Sequence, residues 1–255
     1  MNHASPVDQS QGAVDLRLRT TAAAPMPRLL IGLLVLAALL LVAALYAIFA
    51  IAPVEQQMGI VQKIFYFHLP TWWATYIGFL TCAVCSAVYL KNRDDRWDAV
   101  AVAAAEVGMV FCLIGLITGP LWARKAWGVW WTWDPRLTSV MLEAMVFLAY
   151  LVLRAFAAQG DVEKRFAAGL AIVGVLDIPV IRYSVQRWRG THPTVVTGKG
   201  GGIDPAMKPA LYFSIALFLV LVVALIWVRV RSERVRQRVL ALELEAAERG
   251  LLEEN

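Results

Sequence analysis

Long apolar stretches alternate with short polar segments along almost the whole chain. Six of these stretches are about 20 residues long, enough to cross a hydrocarbon core of about 30 Å as a helix. The predicted spans cover residues 29–52, 71–90, 98–122, 137–158, 166–183 and 209–228. The pattern predicts an all-α, polytopic membrane protein with six transmembrane helices.

The polar flanks divide the chain into three parts. Residues 1–28 contain Ser and Pro but no aromatic residue, which predicts a disordered tail. Residues 29–230 form the predicted six-span membrane domain. Residues 231–255 are basic and then acidic, and we expect a helical C-terminal tail. The first apolar stretch is too long for a signal-peptide core, so we interpret it as a retained span.

Charge indicates the orientation of the spans. An even number of spans places both termini on one side of the membrane. On that side the sequence carries 15 of its 24 Lys and Arg, and the other nine lie toward the opposite side. The positive-inside rule therefore predicts cytoplasmic N- and C-termini and an outer surface formed by the first, third and fifth loops.

The first outer loop, residues 54–68, is amphipathic. Apolar residues recur at helical spacing from Val54 to Phe65, and His68 falls on the same side near the end. The pattern predicts an interfacial helix on the outer membrane surface, with Lys63 on its polar side. Pro70 is then expected to start the second span.

The second outer loop holds the densest aromatic cluster, Trp127-Gly128-Val129-Trp130-Trp131-Thr132-Trp133-Asp134-Pro135-Arg136-Leu137. If this segment is helical, three of its tryptophans and Asp134 share one face at i, i+3, i+4 and i+7. Such a cluster is typical of the aromatic belt at a membrane surface. It also suits a flat apolar ligand, although composition alone favours the aromatic belt.

Histidine is rare in this sequence, and its positions favour a ligand. His3 lies in the tail, whereas His68 and His192 lie in the first and third outer loops. Two imidazoles without a third ligand make a poor zinc site. They suffice as the axial pair of a haem iron, whose other four ligands come from the porphyrin. The alternative is two interfacial histidines that share no ligand.

A haem would also account for the aromatic and basic residues of these loops. Tryptophan rings offer stacking surface to the macrocycle, and arginines pair with its propionates. The cations on the predicted outer side that suit this role are Arg124, Lys125, Arg136, Arg182, Arg187 and Arg189.

Three acidic residues, Glu106, Glu143 and Asp177, lie inside predicted spans. A carboxylate in hydrocarbon is costly unless it is paired or faces a cavity. We therefore expect ion pairs, or a polar boundary below a haem cavity in the case of Glu143 and Asp177.

Several function classes are disfavoured. The chain is 60% apolar, and its net charge of +5 forms no basic patch of the kind that binds nucleic acid. Cys82 and Cys85 form C-x-x-C, but Ser86 follows instead of the His of covalent haem attachment. The sequence at 198–200 lacks the complete nucleotide-binding P-loop.

Residues 127–138 resemble the tryptophan-rich "WWD" motif of haem-handling membrane proteins. With six spans, this motif in the second outer loop and single histidines in the first and third, the chain resembles the CcmC family. These are the haem exporter proteins C of bacterial cytochrome c maturation. The resemblance covers residues 29–230.

The resemblance implies a multi-pass protein of the bacterial inner membrane that binds b-type haem at its periplasmic face. We expect that it presents haem to a chaperone and is not an enzyme. The resemblance also implies His68 and His192 as axial ligands. The residues that it implies for the haem platform are Trp127, Gly128, Trp130, Trp131, Trp133 and Asp134, and we add Arg136 to the expected binding residues.

Implied partners are the haem chaperone CcmE, the small subunit CcmD and the ATP-binding cassette pair CcmA and CcmB. Two other functions stay open on the sequence: a haem-containing membrane oxidoreductase and a haem-free assembly scaffold. Histidines at one surface favour haem presentation over electron transfer across the membrane.

Overall fold

A computed structural model of the chain describes residues 25–156, 160–188 and 202–249. Within these ranges the protein is helical and contains no β-strand. The α-helices are α1 (Arg28–Tyr46), α2 (Phe65–Asn92), α3 (Asp95–Trp127), α4 (Pro135–Phe156), α5 (Asp161–Gly174), α6 (Asp177–Trp188) and α7 (Lys208–Glu248). The described part contains six helical segments that are long and apolar enough to cross a membrane, which confirms the predicted multi-pass all-α fold.

The antiparallel pair α2 and α3 forms the centre of the bundle. Small residues let their backbones approach closely: a Cβ atom on Gly78 would lie 2.6 Å from the Cα atom of Gly108. α4 packs against this pair, and the ring of Phe147 on α4 stacks on the ring of Phe79 on α2 with centroids 3.6 Å apart. α1 and α7 pack together on another side of α2 and α3.

The first outer loop differs from the prediction. Residues 54–59 are not helical, because Glu55 folds a turn by accepting hydrogen bonds from the backbone N–H groups of Gln57 (2.9 Å) and Met58 (2.5 Å). These bonds favour the ionised carboxylate and lower the pKa of Glu55. A 3₁₀ helix, Ile60–Ile64, leads directly into α2, so Pro70 lies inside that helix rather than at its start.

Lys63 is buried, although its position in the sequence predicted an exposed polar face. Its Nζ donates to the carbonyl oxygens of Ile48 (2.5 Å) and Ala52 (3.4 Å). These carbonyls lie at the end of the first span, which finishes as a π-helix, Ala47–Ile51. The last carbonyls of a helix have no partner within the helix. The Lys63 ammonium therefore caps the C-terminal end of the first span.

The fifth span is broken. α5 ends at Gly174, and α6 begins at Asp177 after a turn at Val175 and Leu176. The break lets α6 run as a separate short helix that packs mainly on α4. It carries Arg182 and Tyr183 into the cavity described below.

A buried charged network lies where α3 and α5 begin and α4 ends. Arg154 donates to Asp98 (2.8 Å) and pairs with Glu163 (2.9 Å), and all three side chains are almost fully buried. Gln237 of α7 also donates to Asp98, at 3.2 Å. α7 thus runs past residue 230, the predicted edge of the membrane domain, as one helix of 41 residues.

The side of the membrane on which each terminus lies remains a prediction. The predicted disordered tail lies outside the described residues up to residue 24, and so does the end of the chain from residue 250.

Candidate functional site

A cavity of about 540 Å³ opens between α2, α3, α4 and α6. This volume falls within the range of about 300–1,000 Å³ that is usual for small-molecule and cofactor pockets. Its walls are mainly apolar and aromatic, with a few polar side chains. The predicted site residues on its lining are His68, Trp127, Trp130, Trp131 and Arg136.

His68 lies in the first turn of α2 and faces the cavity with both ring nitrogens engaged. Its Nδ1 is 2.9 Å from the hydroxyl of Thr118, and its Nε2 accepts a hydrogen bond from the indole N–H of Trp72 at 3.1 Å. The indole is only a donor, so Nε2 carries the lone pair and Nδ1 carries the proton. The Thr118 hydroxyl donates onward to the carbonyl of Ile114 at 2.7 Å.

Two glycines of α3 make room for these rings. A Cβ atom on Gly115 would lie 2.6 Å from the ring of Trp72, and one on Gly119 would lie 3.4 Å from the ring of His68. The close approach of α2 and α3 therefore fixes where the imidazole and the indole sit.

The tryptophan segment is not a helix, which corrects the predicted helical face. α3 ends at Trp127 because Gly128 adopts a left-handed conformation with φ of 78°, which non-glycine residues rarely take. The chain is then irregular from Val129 to Asp134. Even so, the loop brings Trp130 and Trp131 to the cavity beside Trp127.

Asp134 caps α4. Its carboxylate accepts a hydrogen bond from the backbone N–H of Leu137 at 2.8 Å, and Pro135 follows as the first helical residue. Asp at the N-cap and Pro at the first position are both favoured at helix starts. Neither Asp134 nor Gly128 lines the cavity, so both shape the loop from outside it.

The four tryptophans occupy different environments. Trp131 lines the cavity, and its indole N–H is buried with no acceptor among the described residues. Trp133 is 75% exposed, does not line the cavity and packs edge-on against Trp131. Trp127 packs edge-on against Trp122, another residue of the cavity wall.

Arginines lie on two sides of the cavity. Arg136 at the start of α4 and Arg182 of α6 both line it. Arg124 instead holds the loop, since it donates to the carbonyl of Gly128 and its guanidinium lies 5.9 Å from the Trp130 ring centroid. The structure thus separates two cations at the cavity from one that fastens the loop.

The acidic residues of the spans also differ in their surroundings. Glu106 pairs with Arg229, as expected for a structural carboxylate. Glu143 is fully buried one turn beyond Val140 of the cavity wall, and neither of its oxygens has a partner among the described residues. One oxygen of Asp177 is likewise buried and unpartnered within that part of the chain.

His192, Arg189 and most of the glycine run at 200–202 lie outside the described residues. The structure therefore places one of the two predicted iron ligands. In the sequence, His192 follows the last residue of α6, Trp188, by four positions.

Comparison with known proteins assigns the chain to a family. The family model described as "Heme exporter protein C" matches residues 17–245. The chain belongs to the heme exporter protein C family. It is 34% identical to the Heme exporter protein C of Bradyrhizobium diazoefficiens over 239 residues, covering 92% of this chain and 90% of that protein.

Other members of the family are similar over a shorter range. The Heme exporter protein C of Escherichia coli K12 is 34% identical over 185 residues, which covers 72% of this chain and 75% of that protein. A putative cytochrome c biosynthesis ccmC-like mitochondrial protein of Marchantia polymorpha is 31% identical, with coverages of 70% and 76%.

For this heme exporter protein C family member, reasoning from sequence missed the surroundings of His68. Trp72, Tyr76 and Thr118 were not predicted as site residues, whereas Arg182 was among the cations expected near the propionates and does line the cavity. A signal was present: Trp72 follows His68 by four residues, which places both on one face once α2 is known to begin at Phe65.

Proposed function

We propose that the protein binds b-type haem non-covalently in the cavity and presents it at the periplasmic face of the bacterial inner membrane. The receiving protein is the haem chaperone CcmE, with CcmD, CcmA and CcmB as further partners in cytochrome c maturation. The protein acts as a carrier and not as an enzyme. One observation carries this proposal: a single cavity holds His68 beside Trp127, Trp130 and Trp131.

The residues of the cavity fit a haem. The tryptophan rings suit a flat apolar macrocycle, and the N–H of Trp131 needs an acceptor that no described residue supplies. Arg136, Arg182 and this indole would hold the two carboxylates of a haem. His68 presents a neutral imidazole, the form that ligates iron.

Bis-histidine ligation requires His192 as the second axial ligand. This part of the proposal rests on the sequence, in which His192 closely follows the cavity-lining helix α6. Membership of the family, whose members are named heme exporters, supports haem as the ligand. The charge bias of the loops supports a periplasmic cavity and cytoplasmic termini.

The absorption spectrum of the purified protein tests the ligands. Wild type should show a low-spin haem, and His68→Ala and His192→Ala should each lose that spectrum or convert it to high spin. His3→Ala is the matched control and should match wild type. No haem in the wild type, or low-spin spectra in both ligand variants, would reject the assignment.

A second pair of variants tests the cavity itself. Trp131→Ala should weaken haem binding more than Trp133→Ala, because the first residue lines the cavity and the second is mostly exposed. Equal losses would show that the cavity is not the binding surface.

Transfer and topology complete the test. Trp130→Ala combined with Trp131→Ala should reduce haem transfer to CcmE, measured as holo-chaperone formed. A topology reporter fused after Lys199 should be periplasmic, and a cytoplasmic result would contradict the proposed orientation.

A further inference from the structure

The hydrogen bond between Trp72 and His68 blocks the atom that a metal would need. The Trp72 indole N–H points at the Nε2 lone pair of His68 from 3.1 Å. The other ring nitrogen carries the proton and is held by Thr118 at 2.9 Å. Nε2 is therefore the only nitrogen of this neutral imidazole with a lone pair, and Trp72 occupies it.

A lone pair that binds iron is not available to a hydrogen-bond donor at the same time. We infer that Trp72 competes with haem iron for Nε2 of His68, so that the indole N–H withdraws when haem is bound and returns when haem leaves. The inference rests on the proposed function and extends it, since it assigns a positioning role to Trp72.

The surroundings hold both partners in this arrangement. Thr118 anchors Nδ1 and is itself anchored to the carbonyl of Ile114, so the ring presents Nε2 in a fixed direction. A partner on the second nitrogen that fixes the tautomer and ring orientation is a general feature of metal-binding histidines. Gly115 leaves the space in which the Trp72 ring lies.

For a carrier, this competition has a functional consequence. Iron that leaves a part-buried imidazole nitrogen in a mainly apolar cavity gives up a bond, and a donor that replaces this bond lowers the cost of haem release. With Trp72 in place, the indole N–H satisfies Nε2 as iron leaves. Trp72 therefore lowers the affinity for haem and speeds its release to an acceptor.

The haem-free protein provides the first readout. In spectra of ¹⁵N-labelled histidine, the His68 signals should show a neutral ring protonated at Nδ1, with Nε2 accepting a hydrogen bond. Trp72→Phe should move the Nε2 resonance toward the value of an unbonded acceptor, and His68→Ala identifies the signal. An unchanged Nε2 resonance in Trp72→Phe overturns the inference, however well the protein binds haem.

Haem titration provides the second readout. Loss of one hydrogen bond that competes with iron should tighten haem binding roughly two- to tenfold in Trp72→Phe and slow dissociation by a similar factor. In a His68→Ala background the same substitution should tighten nothing. Trp97→Phe, in the first turn of α3 and outside the cavity lining, is the matched control and should bind as wild type.

Failures of the two proposals are distinguishable. Equal or weaker haem binding by Trp72→Phe, with a normal spectrum in the wild type, overturns the competition and leaves the proposed function intact. Tightening that persists without His68 also overturns it, because the effect would then come from the cavity wall. A wild-type protein that binds no haem rejects both the proposed function and the competition. A shift of the Nε2 resonance in Trp72→Phe would then show only a structural contact between Trp72 and His68.

Discussion

Removal of Arg154 should destabilise the protein far more than removal of an arginine at the surface. Its guanidinium contacts Asp98 at 2.8 Å and Glu163 at 2.9 Å, and the side chains of the three residues are 5–6% exposed. Arg154→Met keeps a long side chain but leaves two buried carboxylates without their cation. The matched control is Arg165→Met, because Arg165 meets Asp161 at 3.9 Å with both side chains more than half exposed.

The expected magnitudes follow from this difference in exposure. Removal of one partner of a buried ion pair costs about 3–5 kcal/mol, because a charge is left uncompensated in a medium of low polarity. An exposed pair contributes about 0–1 kcal/mol. A triple variant that adds Asp98→Asn and Glu163→Gln to Arg154→Met should recover most of the loss, since no unpaired charge remains.

The assay is reversible unfolding in detergent micelles or bicelles, followed by tryptophan fluorescence or circular dichroism, with the free energy of unfolding compared among variants. Loss of less than about 1 kcal/mol in Arg154→Met, as for Arg165→Met, would refute the argument. So would a triple variant no more stable than Arg154→Met, because the penalty would then not be electrostatic.

Three further predictions concern other contacts. Asp134→Asn should keep the cap of α4 and near wild-type stability, whereas Asp134→Ala should lose about 1 kcal/mol; equal losses would show that charge rather than capping matters. Lys63→Met should cost about 2 kcal/mol, because charge-assisted bonds to the end of the first span are lost, and unchanged thermal stability would contradict this. Gly115→Ala should lower the free energy of unfolding by about 1–3 kcal/mol, because the added methyl group displaces the Trp72 ring. Gly169 has open space around it, so Gly169→Ala should not destabilise the protein. Equal stability of the two variants would contradict the packing argument.

Hydrophobic pattern predicted the six spans and their order because each must cover the thickness of a bilayer, a constraint that acts locally along the chain. The predictions that were wrong concern details that depend on contacts between residues far apart in the sequence. The apolar spacing at 54–68 suits a helix, but the burial of Lys63 depends on carbonyl groups 11 and 15 residues away. No local pattern contains that information.

In the candidate site too, local pattern predicted some features and tertiary structure determines the others. Topology predicted that His68 and the tryptophan segment share a surface, and the structure places them in one cavity. The helical face predicted for that segment failed at Gly128, although the Asp134-Pro135 pair signals a helix start in the sequence itself. Which indole faces the cavity depends on the path of an irregular loop, which spacing does not determine.

The length of α7 also matters mechanically. Its 41 residues span about 60 Å, roughly twice the thickness of a hydrocarbon core, and contain no Gly and, after Pro209, no Pro at which to bend. The part beyond Gln237, which still donates to Asp98, is therefore a lever fixed to the bundle. A tilt of α7 by about 10° about that point would swing its far end by about 3 Å, given a rise of about 1.5 Å per residue. Rearrangements of the spans would thus be read out as displacements of the far end of α7, at the opposite end of this helix from the cavity.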